Sequence, residues 1–317
     1  GKVIKPDGFR LKNLKDWLTP SSSHPIADVL GYLGNHCDCD CIFCYNKGNP
    51  ESVALVRPAR PAKEEFEEVK TRLNYFATAG RSLFCNLGSI HEVMIHPYFL
   101  ESLRLLRARA SRAIKITTNG TRLTPDMVAE LAKLKPIYLY LSLNSSSPER
   151  RRKLMRDNLP HIAIDSLPLL KAKGIPYAVV IVPWPIDSVD EMLQDLSNTI
   201  GYAAEHEAHL IQINLPGYTR QFSPVDIFDR EEVWQAIIGK IRELRTKVSC
   251  PIVALPTMYE EHNNLPKVIG VVKNSPADLA GLKIGDQILE VNGFPTPTKP
   301  QAREILSALQ ASSYTEV

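Results

Sequence analysis

Between about residues 28 and 250, apolar runs of β-forming residues alternate with segments patterned at helical spacing. Strands are expected at Asp28 to Leu33, Ser82 to Asn86, Ala113 to Thr117, Ile137 to Leu143, Tyr177 to Val182 and Leu210 to Asn214. Helical patterns fall at 63–79, 97–110, 124–134, 148–156, 161–172, 188–201 and 230–248, with Gly80 stopping the first and Pro160 separating the fourth from the fifth. Strands that alternate with helices pair in parallel, because each helix carries the chain back over the sheet in a right-handed crossover. Six such units suit an open, partial (βα) barrel or a doubly wound sheet. In either case the chemistry sits at the carboxyl ends of the strands, in the loops that lead into the helices.

Composition narrows the class. With 44% hydrophobic residues the chain has enough apolar surface to fold, so a mostly disordered protein is excluded. A net charge of +3 over 317 residues gives no basic patch that calls for nucleic acid, and no nucleic-acid partner is expected. No apolar run is long enough to span a bilayer, and Gly1 to Gly8 lack the apolar centre of a secretion signal, so a cytoplasmic protein without a membrane partner is expected.

Four of the six cysteines, Cys37, Cys39, Cys41 and Cys44, fall within eight positions directly after the first expected strand. A disulfide framework spreads its cysteines through a short secreted chain, so this cluster reads as a metal site. A structural zinc site using all four thiolates is one reading, although zinc sites favour C-x2-C pairs separated by a longer loop. The other takes Cys37, Cys41 and Cys44 as C-x3-C-x2-C, with Phe43 before the last cysteine and Tyr45 after it.

That second parsing resembles the radical S-adenosylmethionine (radical SAM) superfamily, whose motif is CxxxCxΦC with an aromatic residue at Φ. Asn35 matches the usual approach to the motif. The resemblance implies a partial (βα)6 barrel of the TIM type. It also implies that Cys37, Cys41 and Cys44 hold a [4Fe–4S] cluster through soft sulfur ligands. Three ligands leave one iron open to S-adenosylmethionine, and reductive cleavage then gives a 5′-deoxyadenosyl radical that abstracts hydrogen from a substrate. Cys39 departs from the motif. The resemblance spans about residues 28–250 and implies an electron donor such as flavodoxin or ferredoxin. No second cysteine cluster follows, so no auxiliary iron–sulfur cluster is expected.

Further motifs of that family can be carried over position by position. Ile90-His91-Glu92-Val93-Met94-Ile95-His96-Pro97 is similar to the GGEP-type segment that meets the SAM amino group; both glycines are replaced, so only the role of Glu92 carries over. Thr117-Thr118-Asn119-Gly120-Thr121 closely resembles the family's T-T-N-G-T turn, which makes Thr118 and Asn119 candidates for cofactor binding. By the same resemblance Ser142 and Asn144 lie near the ribose and carboxylate, Arg156 near the carboxylate, and Val182 against the adenine, with Phe43 beside the cofactor. Plainer readings stand beside these. Asn119-Gly120 can be a simple turn, Ser142 and Asn144 a strand end and cap, and Arg150-Arg151-Arg152-Lys153 a solvated helix face. His91 and His96 read as packing groups, Cys85 as a small buried hydrophobe, and Cys250 has no assigned role.

After Cys250 the pattern changes. Residues 251–265, with Pro251, Pro256 and Asn263-Asn264, read as a connector. From Pro266 an apolar strand at Val268 to Val272 precedes Ser275-Pro276-Ala277 and Gly281-Leu282-Lys283-Ile284-Gly285-Asp286; a strand at Gln287 to Val291, Asn292-Gly293 and a helix from Lys299 to Leu309 follow. This string resembles a PDZ domain of bacterial type and implies a groove between Val268–Val272 and the last helix, where a peptide or protein partner would dock. The expected organisation is an N-terminal extension (1–27), the barrel (28–250), the connector (251–265) and a small PDZ-like α+β domain (266–317), either truncated or incomplete as a fold. The expected function is that of a radical SAM enzyme, whether oxidoreductase, transferase or isomerase. The competing class is a non-catalytic zinc-binding scaffold that docks proteins through its PDZ-like unit.

Overall fold

Helices in this chain start where a short polar side chain can take up a free backbone N–H. The hydroxyls of Thr124, Ser147, Ser188 and Ser275 and the Asp229 carboxylate each accept from the N–H three residues on, at 3.0–3.3 Å. Three of these caps are followed by Pro125, Pro148 or Pro276, whose missing N–H costs nothing in a first turn. The computed structural model describes residues 3–4, 33, 36–44, 60–77, 85–87, 91–109, 113–217, 229–256, 264–273, 275–308 and 315–316.

In chain order the elements are β1 (Val3–Ile4), α1 (Ala62–Ala77), β2 (Cys85–Leu87), a 3-10 turn (Val93–Ile95), α2 (Phe99–Arg107), β3 (Ile114–Thr118), α3 (Pro125–Lys133), β4 (Ile137–Ser142), α4 (Pro148–Met155) and α5 (Pro160–Ala172). They continue with β5 (Tyr177–Ile181), α6 (Val189–Glu205), β6 (Leu210–Asn214), α7 (Arg230–Leu244), β7 (Ile252–Leu255), α8 (Pro276–Leu279), β8 (Glu290–Val291), β9 (Phe294–Pro295), α9 (Lys299–Ala308) and β10 (Thr315–Glu316). No helix among the described residues is long and apolar enough to cross a membrane.

Strands β2 to β7 form one parallel sheet in sequential order, the arrangement expected of successive right-handed βα units. Each strand turns alternate residues to opposite faces. Ile114, Ile116, Ile137, Leu139, Leu141, Val179, Ile181, Ile211 and Ile213 face the helices and, with residues such as Leu103, Leu131, Leu167, Ile200 and Ile237, make the main core. The opposite face carries Lys115, Thr117, Tyr138, Tyr140, Ser142, Val180, Gln212 and Asn214, all only partly buried. A closed TIM barrel fills its interior with branched apolar side chains; here that face is polar and accessible.

Residues 28–32 of the first expected strand lie outside the described residues, and Leu33 is buried. Two other expectations change. Residues 252–255, read as connector, form β7 and pair with β6 from Ile211↔Ile252 to Asn214↔Leu255. The flanking Pro251 and Pro256 mask this short run in sequence, yet proline is tolerated at the ends of an edge strand. In the C-terminal unit, Val268 to Val272 forms no strand: Lys267↔Gln287 is an isolated bridge, and Val268 exchanges backbone hydrogen bonds with Gly285 and Asp286. Strand β8 is correspondingly shorter than the expected run from Gln287 to Val291. Val3–Ile4 pairs antiparallel with Thr315–Glu316, so β1 lies against the C-terminal unit.

Candidate functional site

The cysteine loop is tied by its backbone to the end of α4. Asp40 N–H donates to Met155 O at 2.9 Å and Ile42 N–H to Leu154 O at 3.0 Å, while Cys44 N–H closes a turn onto Cys41 O at 3.1 Å. Two aspartates interleaved with the cysteines anchor the loop from outside. Asp38 accepts from Asn119 Nδ2 at 2.8 Å and from Thr121 Oγ1 at 2.7 Å, with Arg122 at 3.6 Å. Asp40 is paired with Arg156 at 2.6 Å.

The Asn119-Gly120 turn at the end of β3 meets this loop. Asn119 Nδ2 donates to Cys39 Sγ at 3.3 Å and lies 3.7 Å from Cys37 Sγ, while its Oδ1 accepts from Thr121 N–H at 3.0 Å. Gly120 is required here: its φ is +85°, and a Cβ would stand 2.6 Å from Leu141 Cδ1 and 2.8 Å from Ala163 Cβ. The Cys37 thiol is pushed up by a hydrogen bond with Cys39 and by burial. Cys39 is pulled down by Cys37, but its hydrogen bond with Cys41 and its burial outweigh that and leave it raised. A metal bound here would take its cysteine ligands as thiolates and displace their protons.

Glu92 ties the third side of the site together. It is 3% exposed, and its N–H donates to His36 O at 3.1 Å. Oε1 accepts from Thr118 Oγ1 at 2.8 Å and Met94 N–H at 3.0 Å, and Oε2 from Asn119 N–H at 2.5 Å. Burial pushes its carboxyl up to about 7, with the hydrogen bonds from Asn119, Met94 and Thr118 opposing the rise. Nearby His96 is buried with its Nδ1 accepting from Tyr98 N–H, so Nε2 carries the hydrogen toward Glu65 at 3.1 Å. It is a packing group, as expected. His91 is partly buried beside Glu92, and burial lowers its pKa.

On the far side, Asn144 adopts a left-handed backbone with φ +60° and bridges two strand ends. Its Oδ1 accepts from Val182 N–H at 2.9 Å, and its Nδ2 reaches Met155 Sδ at 3.1 Å and Ser142 O at 3.4 Å. Beneath the loop, Cys39, Leu154, Met155 and Trp184 form a small apolar cluster, with Cys41, Phe43 and Val182 packed at its edge and the Phe43 and Trp184 rings 6.4 Å apart.

The structure thus brings Cys37, Cys41, Cys44, Phe43, Glu92, Thr118, Asn119, Ser142, Asn144 and Val182 to one end of the sheet. Arg156 stands apart from that group: it caps α4 with φ +51° and holds Asp40 on the exposed side. Among the described residues, no three His, Cys, Asp or Glu side chains are already arranged to hold a metal ion. The soft sulfur donors of the loop nevertheless fit an iron–sulfur cluster, and the amide of Asn119 is a hydrogen-bond donor to that sulfur set. The Cys85 side chain lies outside the described residues, and Cys250 packs partly buried against the main core.

Arg151 is the residue that sequence reasoning missed. In place of the solvated face read from Arg150 to Lys153, Arg151 is fully buried and Arg150 nearly so. The Arg151 guanidinium pairs with Asp157 at 2.8 Å and donates to Ser142 O at 2.9 Å, Leu143 O at 2.5 Å and Asn119 O at 2.5 Å. It locks the ends of β3 and β4 together directly behind the cysteine loop. Arg150 reaches Trp184 O at 2.9 Å and Asp195 at 3.3 Å. Helical phase supplied the only sequence signal, since Arg150 and Arg151 share the buried side of α4 with Leu154 and Met155.

Residues 32–197, just over half the chain, match the family model described as the Radical SAM superfamily. The chain belongs to the radical SAM superfamily. Members of that superfamily are enzymes. Residues 267–317 of this radical SAM protein match a PDZ domain model. Among solved structures it is similar to Streptococcus suis SuiB bound to S-adenosylmethionine, at 16% identity and TM-score 0.52, over 73% of this chain and 51% of that one. It is also similar to SuiB bound to its precursor peptide SuiA, at 17% identity and TM-score 0.52, over 79% and 53% of the two chains. The radical SAM chain therefore spans about half the length of these relatives, and the likeness is one of fold. No curated protein matches it.

Proposed function

We propose that this protein binds a [4Fe–4S] cluster through Cys37, Cys41 and Cys44 and cleaves S-adenosylmethionine reductively. The supporting observation is the C-x3-C-x2-C loop, fastened across the carboxyl ends of β3 and β4 by Asn119 and by α4. When bound, cluster and S-adenosylmethionine together supply a 5′-deoxyadenosyl radical able to abstract hydrogen from carbon.

The chain's own residues then have distinct tasks. Asn119 orients the loop and donates to its sulfurs, while Asp38 and Asp40 are engaged by Asn119, Thr121 and Arg156 and do not compete as oxygen ligands. Glu92 presents a buried carboxylate between the loop and the Thr118-Asn119 turn, suited to an ammonium group. Ser142, Asn144 and Val182 form the opposite rim, and Phe43 with Trp184 excludes water from below. A small reductant such as flavodoxin or ferredoxin would supply the electron. The PDZ domain is suited to a peptide or protein partner. In this division of labour the catalytic unit extends past residue 250 to include β7 (Ile252–Leu255), and the docking unit is the segment from 266 to 317.

Anaerobic reconstitution with iron and sulfide, followed by dithionite and S-adenosylmethionine, should yield 5′-deoxyadenosine. No product from the wild type, or an unchanged yield from Cys41→Ala, overturns the reading. Zinc in place of iron, without visible iron–sulfur absorbance, would favour the docking scaffold.

A further inference from the structure

The sheet face turned away from the helices is built in layers that the strand register defines. Lys115 pairs with Tyr138, and one layer nearer the cysteine loop Thr117, Tyr140, Ala178 and Leu210 lie side by side across four strands. Above them come Ser142, Val180 and Gln212. The Lys115 ammonium stands 3.8 Å from the centre of the Tyr140 ring in the next layer.

Lysine is rarely taken out of water without an anion, because its desolvation is costly. Lys115 is half-buried on this face, and burial lowers its pKa. Among the described residues no carboxylate or other acceptor reaches its ammonium, which stands over the Tyr140 ring with Tyr138 beside it in register. The surrounding polar groups, Thr117, Gln212 and Asn214, are neutral, and no arginine lies on this face among the described strands.

We infer that Lys115 is the anchor for a carboxylate on the substrate, so that the molecule bound in the open face of the sheet is an organic acid. The single positive charge here balances one carboxylate, whereas a phosphate dianion would keep an uncompensated charge in a half-buried site. The distances agree with that use. Lys115 is four residues, or about 13 Å of strand, below Asn119 on the same face, and the Asn119 side chain touches the cysteine sulfurs. An acid held at Lys115 thus extends a carbon chain toward the loop. The inference rests on the radical SAM reading for the reaction, but not for the binding of the acid.

The test uses the full chain, with and without reconstituted iron, titrated calorimetrically with glutarate and with its neutral isostere glutaramide. Acetyl-glutamyl amide and acetyl-glutaminyl amide form a second pair that reports a carboxylate carried on a peptide. Each acid should bind at least about tenfold more tightly than its amide, and Lys115→Met should abolish the preference. Tighter binding of glutarate points to a free acid, and tighter binding of the peptide form to a peptide side chain; both support the inference. Equal binding of acid and amide, or a preference that survives in Lys115→Met, overturns it. So does a lower unfolding midpoint for unliganded Lys115→Met, which would make the lysine a structural residue; removal of an uncompensated ammonium should leave the midpoint unchanged or raise it. Formation of 5′-deoxyadenosine by the wild type is measured separately. Its absence refutes the proposed reaction, whereas its presence without acid selectivity refutes this inference alone.

Discussion

Replacing Arg151 by methionine tests how the site is held together. The substitution keeps an unbranched apolar stem but removes a guanidinium that is fully buried. Asp157, 1% exposed, then keeps its hydrogen bond from Leu159 N–H at 2.9 Å but loses its cation. Ser142 O, Leu143 O and Asn119 O each lose a donor. Breaking a buried ion pair from one side costs about 3–5 kcal/mol, a large share of a typical folding free energy. For a domain of this size that lowers the unfolding midpoint by roughly 6–20 °C. Urea and thermal unfolding of the full chain, followed by circular dichroism, give both quantities. Adding Asp157→Asn to Arg151→Met removes the stranded charge and should recover about half of the loss, because the three carbonyls stay without donors. A loss below about 1 kcal/mol for Arg151→Met, or no recovery in the double variant, refutes the view of Arg151 as the clamp behind the loop.

Glu92 predicts a pH dependence. Its carboxyl is raised from 4.5 to about 7 in the fold, so the native state holds more protons than the unfolded chain between those values. Stability should therefore fall as pH rises through that window, by a total of about 3 kcal/mol, and Glu92→Gln should flatten the profile. Urea midpoints from pH 5 to 8 check this. Gly120→Ala should cost about 2–4 kcal/mol, from the left-handed backbone and the contacts with Leu141 and Ala163, again read by urea unfolding. Asn119→Ala should cost about 1–3 kcal/mol and lower the iron retained per chain after reconstitution, because the amide bridges Asp38 and the cysteine sulfurs.

The cysteine spacing and the Thr118-Asn119-Gly120 turn were legible in sequence because each is a local pattern, contained within a few neighbouring residues; that the two meet was not, since they lie about eighty positions apart. Arg151 was not legible. A run of three arginines and a lysine reads as solvated until the phase of α4 against the ends of β3 and β4 is known, and that phase is a tertiary property. Lys115 was hidden for a related reason, since Ile-Lys-Ile-Thr-Thr announces a strand but not which face lies open. Strand β7 was concealed by the prolines on either side of it. Val268 to Val272 has the composition of a strand, yet its first residue is spent on backbone hydrogen bonds to the Gly285-Asp286 turn.

The pairing of Val3–Ile4 with Thr315–Glu316 has a consequence for assembly. Its partners are separated by more than three hundred positions, so this two-stranded ribbon cannot begin to form until Thr315 and Glu316 have been made. Closing so long a loop is entropically costly unless the intervening chain has already condensed, and the parallel sheet does that condensing. The barrel thus acts as the spacer that delivers the two short strands to each other. Trimming the first few residues should loosen the PDZ end of the protein while leaving the helix-covered sheet intact.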